Sequence, residues 1–445
     1  MSDHHVAIKS KRQQGRIVSI LAYCQLGTIK VFFYFLRRDF MQLAITLFII
    51  LNLMIASLTG GIELGGQAAI KDPNFSEGVI NVNVTEITGE TVIDRINMVR
   101  KEDIIDKVNI AEEVVQNAIV EEKFNIIDIN INRRYLYAEM VEDIKRLKEA
   151  YPGLIKAEAI GKSLDNRDIY LIKIGKGDLK SLILGGVHAR EIAAMPLLIK
   201  MINEYAKHYY TSGTIDGFNV KELLDNVTLY IVPSVNPDGM EIAIQKEAAI
   251  RDDNLRAALR PIPGYYVQWK ANARGVDINR NFPCQTWGKV VPGKKRSSEI
   301  NTRPHAEFYG GPQPASEPET QAIVNLIENN DFKILFDIHS KGRAIFWFKE
   351  AQSQEFNDIN YKIAQSVGRV SGYSILDKSL SSYGEGTDGT TTDFASERGI
   401  QCLTIETLPY SVQFPFSVET IVAEWNHVKN IGLVLAEETS QLPTT

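Results

Sequence analysis

The sequence predicts an α/β fold in which one eight-stranded sheet carries helices on both faces. Three observations predict it. Candidate strands recur at 155–160, 169–174, 182–187, 228–232, 334–338, 345–348, 374–376 and 402–405, most bounded by turn residues. Helical patterns at 193–210, 241–259, 317–329 and 356–371 fall between several of them. Alternation of this kind buries a sheet under helices on both sides. Finally, two of the apolar runs end in a turn that carries a histidine, and strand ends are where α/β sheets build their sites.

The amino-terminal part differs from the rest. The first 39 residues hold seven Lys or Arg against Asp3 and Asp39. Residues 40–58 follow without a charge, and as a helix they would span ~29 Å, about a bilayer core. The run exceeds the apolar core of a cleavable signal and follows a long basic stretch, which favours a retained anchor over secretion after cleavage. Basic residues before the span place residues 1–39 in the cytoplasm and the remainder outside. Residues 59–130 are expected to be a stalk or pro-segment. Within them 77–91 alternates like a small strand or two, and 94–122 has the spacing of an amphipathic helix. The main domain, 131–440, opens with a helix over 137–151, its Met140, Ile144 and Leu147 at helical spacing, stopped by Pro152-Gly153.

Composition bounds the class. Of 445 residues, 44% are hydrophobic and 23% charged, as in an ordinary globular protein. A net charge of −6 gives no reason to expect nucleic acid as a partner. Cys24, Cys284 and Cys402 imply no disulfide framework.

The chemistry centres on Ser181-Leu-Ile-Leu-Gly-Gly-Val-His-Ala-Arg-Glu191. The apolar strand breaks at Gly185-Gly186, and a helical turn after His188 would bring His188 and Glu191 onto one face. Imidazole nitrogen and carboxylate oxygen both bind zinc, and a catalytic zinc needs one protein ligand more. Among the six other histidines only His339 follows an apolar run, Ile334-Leu-Phe-Asp-Ile338, and precedes a turn, Ser340-Lys-Gly342. Glu406 ends another apolar strand, Cys402-Leu-Thr-Ile405, where an acid needs a reason, and a base near the metal is one. Two further stretches read structurally: Ser316 and Glu319 as a capping box for the helix at 317–329, and Asn236-Pro-Asp-Gly239 as a turn after a strand.

Together these stretches resemble the zinc carboxypeptidases of the carboxypeptidase A type. Further motifs stand in the family's order: Pro233-Ser-Val-Asn-Pro-Asp-Gly239, Gly275-Val-Asp-Ile-Asn-Arg-Asn-Phe282, Tyr309-Gly-Gly311 with Ser316-Glu-Pro-Glu319, and Leu403-Thr-Ile-Glu-Thr407. The resemblance covers roughly 135–435. It implies a mixed, largely parallel sheet, one Zn2+ held by His188, Glu191 and His339, and Glu406 as general base and acid. It also implies a terminal carboxylate clamped by Asn279 and Arg280, with Arg190 touching substrate further out. Where the family's digestive members stabilise the oxyanion with an arginine after a tryptophan, this chain has Lys270 after Trp269; Arg274 is the other cation nearby. The closing tyrosine best matches Tyr383, and the specificity wall falls near Thr390, Thr391 and Thr392. Gly389-Thr-Thr-Thr-Asp-Phe394 and Trp269-Lys-Ala-Asn-Ala-Arg-Gly275 are similar to a bacterial branch that cuts the γ-D-glutamyl–diaminopimelate bond of cell-wall peptides. The expected substrate is therefore a muropeptide. A carboxypeptidase of broad peptide specificity and an inactive zinc-containing wall-binding protein are the alternatives.

Overall fold

The computed structural model describes residues 126–442, apart from 212, 286, 288–300 and 382–388, together with four strands before them. Two compact units divide the chain, Met1–Glu121 and Glu122–Thr445. In the first, Val6–Ala7, Ser19–Gln25, Thr28–Phe35 and Gly78–Asn83 form an antiparallel sheet in that order. Three of these strands lie in the stretch expected as a basic tail, and the fourth is a strand expected within 77–91. The apolar span 40–58 and the helix expected over 94–122 lie outside the described residues. Among the described residues no helix is long and apolar enough to cross a membrane.

The second unit is built on eight strands: β1 (Ile155–Lys162), β2 (Asp168–Ile174), β3 (Leu179–Gly185), β4 (Val227–Val232), β5 (Phe332–Ser340), β6 (Ala344–Phe346), β7 (Ser374–Ile375) and β8 (Gln401–Thr407). Their order across the sheet is β7-β6-β8-β5-β3-β4-β2-β1. The central block β8-β5-β3-β4 is parallel throughout, and β1, β2 and the β6–β8 pair add antiparallel edges. All eight expected strands therefore belong to one mixed sheet. Chain order runs outward from β3 to β4 on one side and from β5 to β8 on the other, so β3 and β5 flank the point where the topology reverses. In open α/β sheets that crevice, at the carboxyl ends of the strands, is the usual place for a site.

Both faces are covered. On one face Ile183, Ile231, Phe336 and Leu403 pack under α1 (Tyr137–Ala150), α2 (Ala194–Tyr210), α7 (Gln354–Ser371), α9 (Val418–Val428) and α10 (Ile431–Gln441). Leu182, Leu184, Leu335 and Cys402, one residue out of phase, pack on the other under α6 (Pro318–Glu328) and α8 (Thr391–Ser396). Central strands buried on both sides are why they appear in the sequence as continuous apolar runs rather than alternating ones. In α1, Met140, Ile144 and Leu147 are all at most 3% exposed, and burial of each contributes about 1.5–3 kcal/mol. The packed unit also takes in Ile129, slightly ahead of the boundary expected at 131.

Three local readings are corrected. The pattern over 241–259 is not one helix but α4 (Pro237–Gln245), a 3-10 turn Lys246–Ala249 and α5 (Asp253–Leu259), broken where Lys246 takes a φ of 60°. Asn236 caps α4 by accepting from the Gly239 amide, so Asn236-Pro-Asp-Gly239 starts a helix, with Pro at its first position. Ser316 and Glu319 form no capping box. The N-cap of α6 is Glu317, and the Glu319 carboxylate turns inward to the Leu164 amide and the Asn272 side chain.

Candidate metal centre

His188, Glu191 and His339 converge at the carboxyl ends of β3 and β5. The fold achieves this with tight backbone. After β3 the chain passes through Gly185 and Gly186, whose absent Cβ atoms would stand 2.7 Å from Leu198 Cδ1 and 2.5 Å from Met240 Sδ; Gly186 also has a φ of +62°. The amides of Val235 and Asn236 donate to the carbonyls of Gly185 and Gly186, so the β4 end holds this turn in place. His188 to Glu191 is a single turn, closed by Glu191 N–H to His188 O at 3.2 Å, rather than the start of α2. His339 stands on β5 itself, one residue before its end.

The ligand atoms of the three residues all lie within 4.8 Å of one another. His188 Nδ1 is 2.9 Å from Glu191 Oε1, His339 Nδ1 is 2.9 Å from Glu191 Oε2, and the two Nδ1 atoms are 3.1 Å apart. All three residues are buried. Zinc bonds of ~2.0–2.1 Å at tetrahedral angles put ligand atoms ~3.3 Å apart, so this donor set fits a zinc ion. Burial alone would push the Glu191 carboxyl up, but the charges of His188 and His339 hold it well below the usual carboxylate range. Against its own burial, His339 is raised well above the usual histidine range by Asp337 and Glu191. A cluster that concentrates negative charge on imidazoles in this way is poised to exchange protons for a dication.

Each imidazole turns its other nitrogen to an acid. His188 Nε2 is 3.3 Å from Asp277 Oδ1, and His339 Nε2 is 3.0 Å from Asp337 Oδ2. Such carboxylates fix the ring and raise ligand basicity. Asp277 is fully buried; despite that burial, His188 and then Arg280 and Lys270 hold its carboxyl well below the usual range. Neither acid was singled out from sequence, although each left a trace. Asp337 is the one charge in the apolar run Ile334–Ile338 and shares the His339 face at i, i+2, and Asp277 lies inside the Gly275–Phe282 motif.

Glu406 pairs in register with His339 across β5 and β8. Burial, and next the charge of Glu191, push its carboxyl up to about 8, and Oε2 has no hydrogen-bond partner among the described residues. A bound dication would pull that value back down. The result is a free carboxylate oxygen beside the triad.

The other expected residues are disposed around this centre. Asn279 Nδ2 is 3.4 Å from His339 Nε2, while its Oδ1 accepts from the Thr391 amide and hydroxyl at 2.9 and 3.0 Å. Arg280 Nη1 donates to the Asn279 carbonyl at 2.6 Å, and its Nε is buried with no hydrogen-bond partner among the described residues. Lys270 Nζ and Arg280 Cζ both lie over the Phe308 ring, at 4.5 and 5.8 Å. Burial holds the Lys270 ammonium below its ordinary value, with Asp277 opposing and Arg190 and Arg280 adding to the shift. Arg274 is engaged elsewhere, 2.9 Å from Glu317, whereas Lys270 acts on the charges of Asp277 and Glu406. Arg190 sits at the rim, paired with Glu307 at 2.7 Å and stacked over Phe414 at 4.6 Å. Thr392, at the start of α8, is buried beside Thr404. Tyr383 lies outside the described residues. Cys284 and Cys402 are buried and in no disulfide among the described residues.

A family model described as zinc carboxypeptidase, peptidase family M14, matches residues 140–430. A γ-D-glutamyl-L-diamino acid endopeptidase of Lysinibacillus sphaericus is 31% identical over 257 residues, 57% of this chain and 62% of that protein. Carboxypeptidase A2 of Mus musculus is 26% identical over 283 residues, 62% of each chain. The chain thus spans about three-fifths of the length of these relatives. Bovine thrombin-activatable fibrinolysis inhibitor, solved with a tick carboxypeptidase inhibitor, superposes with a TM-score of 0.54 at 20% identity, over 69% of this chain and 98% of that one; the likeness is one of fold.

Proposed function

Because the chain belongs to the zinc carboxypeptidase family, peptidase M14, we propose that it hydrolyses a peptide bond next to a free carboxylate, with Glu406 as general base and acid. The observation that carries this reading is the convergence of His188, Glu191 and His339 on one point beside Glu406. The cofactor is zinc, which those three residues would hold. When bound, zinc supplies a Lewis acid that polarises a carbonyl and lowers the pKa of a water to about 7.

The chain's own residues do the rest. Glu406 takes the proton of the attacking water as the C–O bond forms, and returns it to the amine nitrogen as the C–N bond breaks. The products are a carboxylic acid and an amine. Lys270 faces the negative charge that develops on the carbonyl oxygen, as a point charge rather than an arginine fork. Arg280, with Asn279, holds the substrate's terminal carboxylate. Arg190 contacts the substrate further out, and Tyr383 closes over it. Asp277 and Asp337 keep the two imidazoles oriented.

The substrate reading is a cell-wall peptide cut between γ-D-glutamate and diaminopimelate. It is supported by the Thr390-Thr-Thr-Asp393 stretch and by the name of the Lysinibacillus relative. Residues 40–58 then hold the chain at the membrane with this domain outside; their support is nineteen uncharged residues behind a basic stretch. The deciding experiment is mass-spectrometric product analysis of the zinc-loaded protein on a defined wall tripeptide and, in parallel, on a plain peptide. Release of diaminopimelate from the first alone supports the reading, release from the plain peptide alone replaces it with a broad carboxypeptidase, and no turnover on either rejects it.

A further inference from the structure

Lys349 follows β6 and is buried beside α8. Its Nζ donates to Thr392 Oγ1 at 2.8 Å and to Asp393 Oδ1 at 3.1 Å. Thr392 Oγ1 in turn stands 3.5 Å from Thr404 Oγ1. Thr404 and Glu406 lie two apart on β8, hence on the same face of the sheet and ~7 Å apart along the strand. The Lys349–Asp393 pair therefore lies on the Glu406 side of the sheet, within a side chain's reach of the bond to be cut.

The fold does not require charges there. A buried ion pair is often matched or bettered in stability by apolar residues of similar volume. The pair is not sealed either: the side chains keep 11% and 16% of their surface, and Asp393 Oδ2 accepts no hydrogen bond among the described residues. Its placement is nevertheless rigid. The Asn357 carboxamide accepts from the Lys349 amide at 2.7 Å and donates to its carbonyl at 2.9 Å. Cys402 Sγ donates to the Thr392 carbonyl, and Asn279 holds Thr391. A fixed ammonium and a fixed carboxylate, linked through the Thr392 hydroxyl to that of Thr404 on the strand of Glu406, present one complementary charge to each half of a zwitterion.

We propose that Lys349 and Asp393 are specificity-determining residues that select a substrate side chain ending in both a carboxylate and an ammonium group, with Thr392 and Thr404 lining the approach. This rests on the peptidase reading above and names which atoms select within it. A side chain of lysine's length, leaving the scissile bond at Glu406, reaches the pair. Its distal carboxylate meets Lys349 Nζ and its ammonium meets Asp393 Oδ2. A purely acidic or purely basic side chain would leave one member of the pair facing a like charge or nothing.

The test uses the zinc-loaded full chain and three γ-D-glutamyl peptides that differ by single groups. One carries diaminopimelate, one carries lysine, which lacks the distal carboxylate, and one carries 2-aminopimelate, which lacks the distal amine. Wild-type kcat/KM should favour diaminopimelate over each of the others by roughly 10–100-fold, the span of one charge-assisted hydrogen bond. Lys349→Met should erase the preference over lysine but not that over 2-aminopimelate, and Asp393→Asn should do the reverse. Melting temperature and zinc content show that each variant is folded and loaded, and Lys349→Gln replaces Lys349→Met if the latter does not fold. Folded variants with wild-type selectivity, or a wild type blind to the three side chains, would overturn the proposal while leaving the peptidase reading intact. Absence of turnover on all three, with the plain peptide cleaved or not, would bring down the wall-peptide reading and this proposal with it.

Discussion

Glu191 and Glu406 are both glutamates placed close to His339, yet their surroundings push them in opposite directions. Glu191, though buried, faces two imidazoles that hold it ionised, whereas burial first and then the charge of Glu191 raise Glu406 to about 8. Divergence of this kind is how two carboxyls in one site divide into ligand and base. Glu406→Gln should retain zinc and substrate while turnover falls by roughly 10²–10⁴-fold, with KM moving much less because the lost interaction belongs to the transition state. Glu191→Gln should instead lose zinc and activity together, as read by metal analysis. Full zinc and near-normal turnover in Glu406→Gln would reject Glu406. Behind the ligands, Asp277→Asn should weaken zinc affinity by roughly 10–100-fold, measured by competition with a chelator; unchanged affinity would mean that Asp277 merely fills space beside His188.

At the scale of elements, the turn after β3 determines whether the ligands meet at all. Gly186→Ala forces a side chain into a positive φ and against Met240, so it should cost about 2–4 kcal/mol in chemical denaturation, the sum of backbone strain and overpacking. It should also lower zinc affinity, since His188 follows two residues later; wild-type stability would show that the α4 side of the turn yields easily. That turn was readable in the sequence, as were the central strands, because strands buried on both faces leave uninterrupted apolar runs and glycine marks where they stop. His339 and Glu406 were legible for the same reason, being polar residues at the ends of such runs. What escaped depended on partners distant in the chain. Glu319 looked like a capping residue from its spacing to Ser316, but burial against Asn272 and Leu164 decided its direction. Lys349 carries no local signal at all, because its meaning comes from Asp393 and Thr404 on other elements. The short helices Val220–Asn226 and α8 are too brief for a period to show.

Across the whole catalytic unit, the inward turn of Glu319 has a consequence for stability. Its carboxyl is fully buried near Asp238 and Glu317, and Asp238 is already ion-paired to Arg167 at 2.7 Å. Burial, then the Asp238 charge, raise the Glu319 carboxyl from 4.5 to about 8. The native state therefore keeps a proton that the unfolded chain releases above about pH 4.5. With more protons bound in the native state than in the unfolded one, the unfolding free energy falls as pH rises. The contribution of Glu319 is fully present below pH ~4.5, declines between ~4.5 and ~8, and stays lost above that. Glu319→Gln keeps the shape and an acceptor for the Leu164 amide but has no proton to lose. Urea titrations of both proteins between pH 5 and pH 8.5 should show a smaller loss of stability with pH in the variant, the two differing most at the alkaline end. Because Glu319 lies on α6, away from the zinc ligands, zinc content should be the same in both. Parallel pH curves would mean that Glu319 is ionised in the native state and that Arg167 and Asn272 shield it from Asp238.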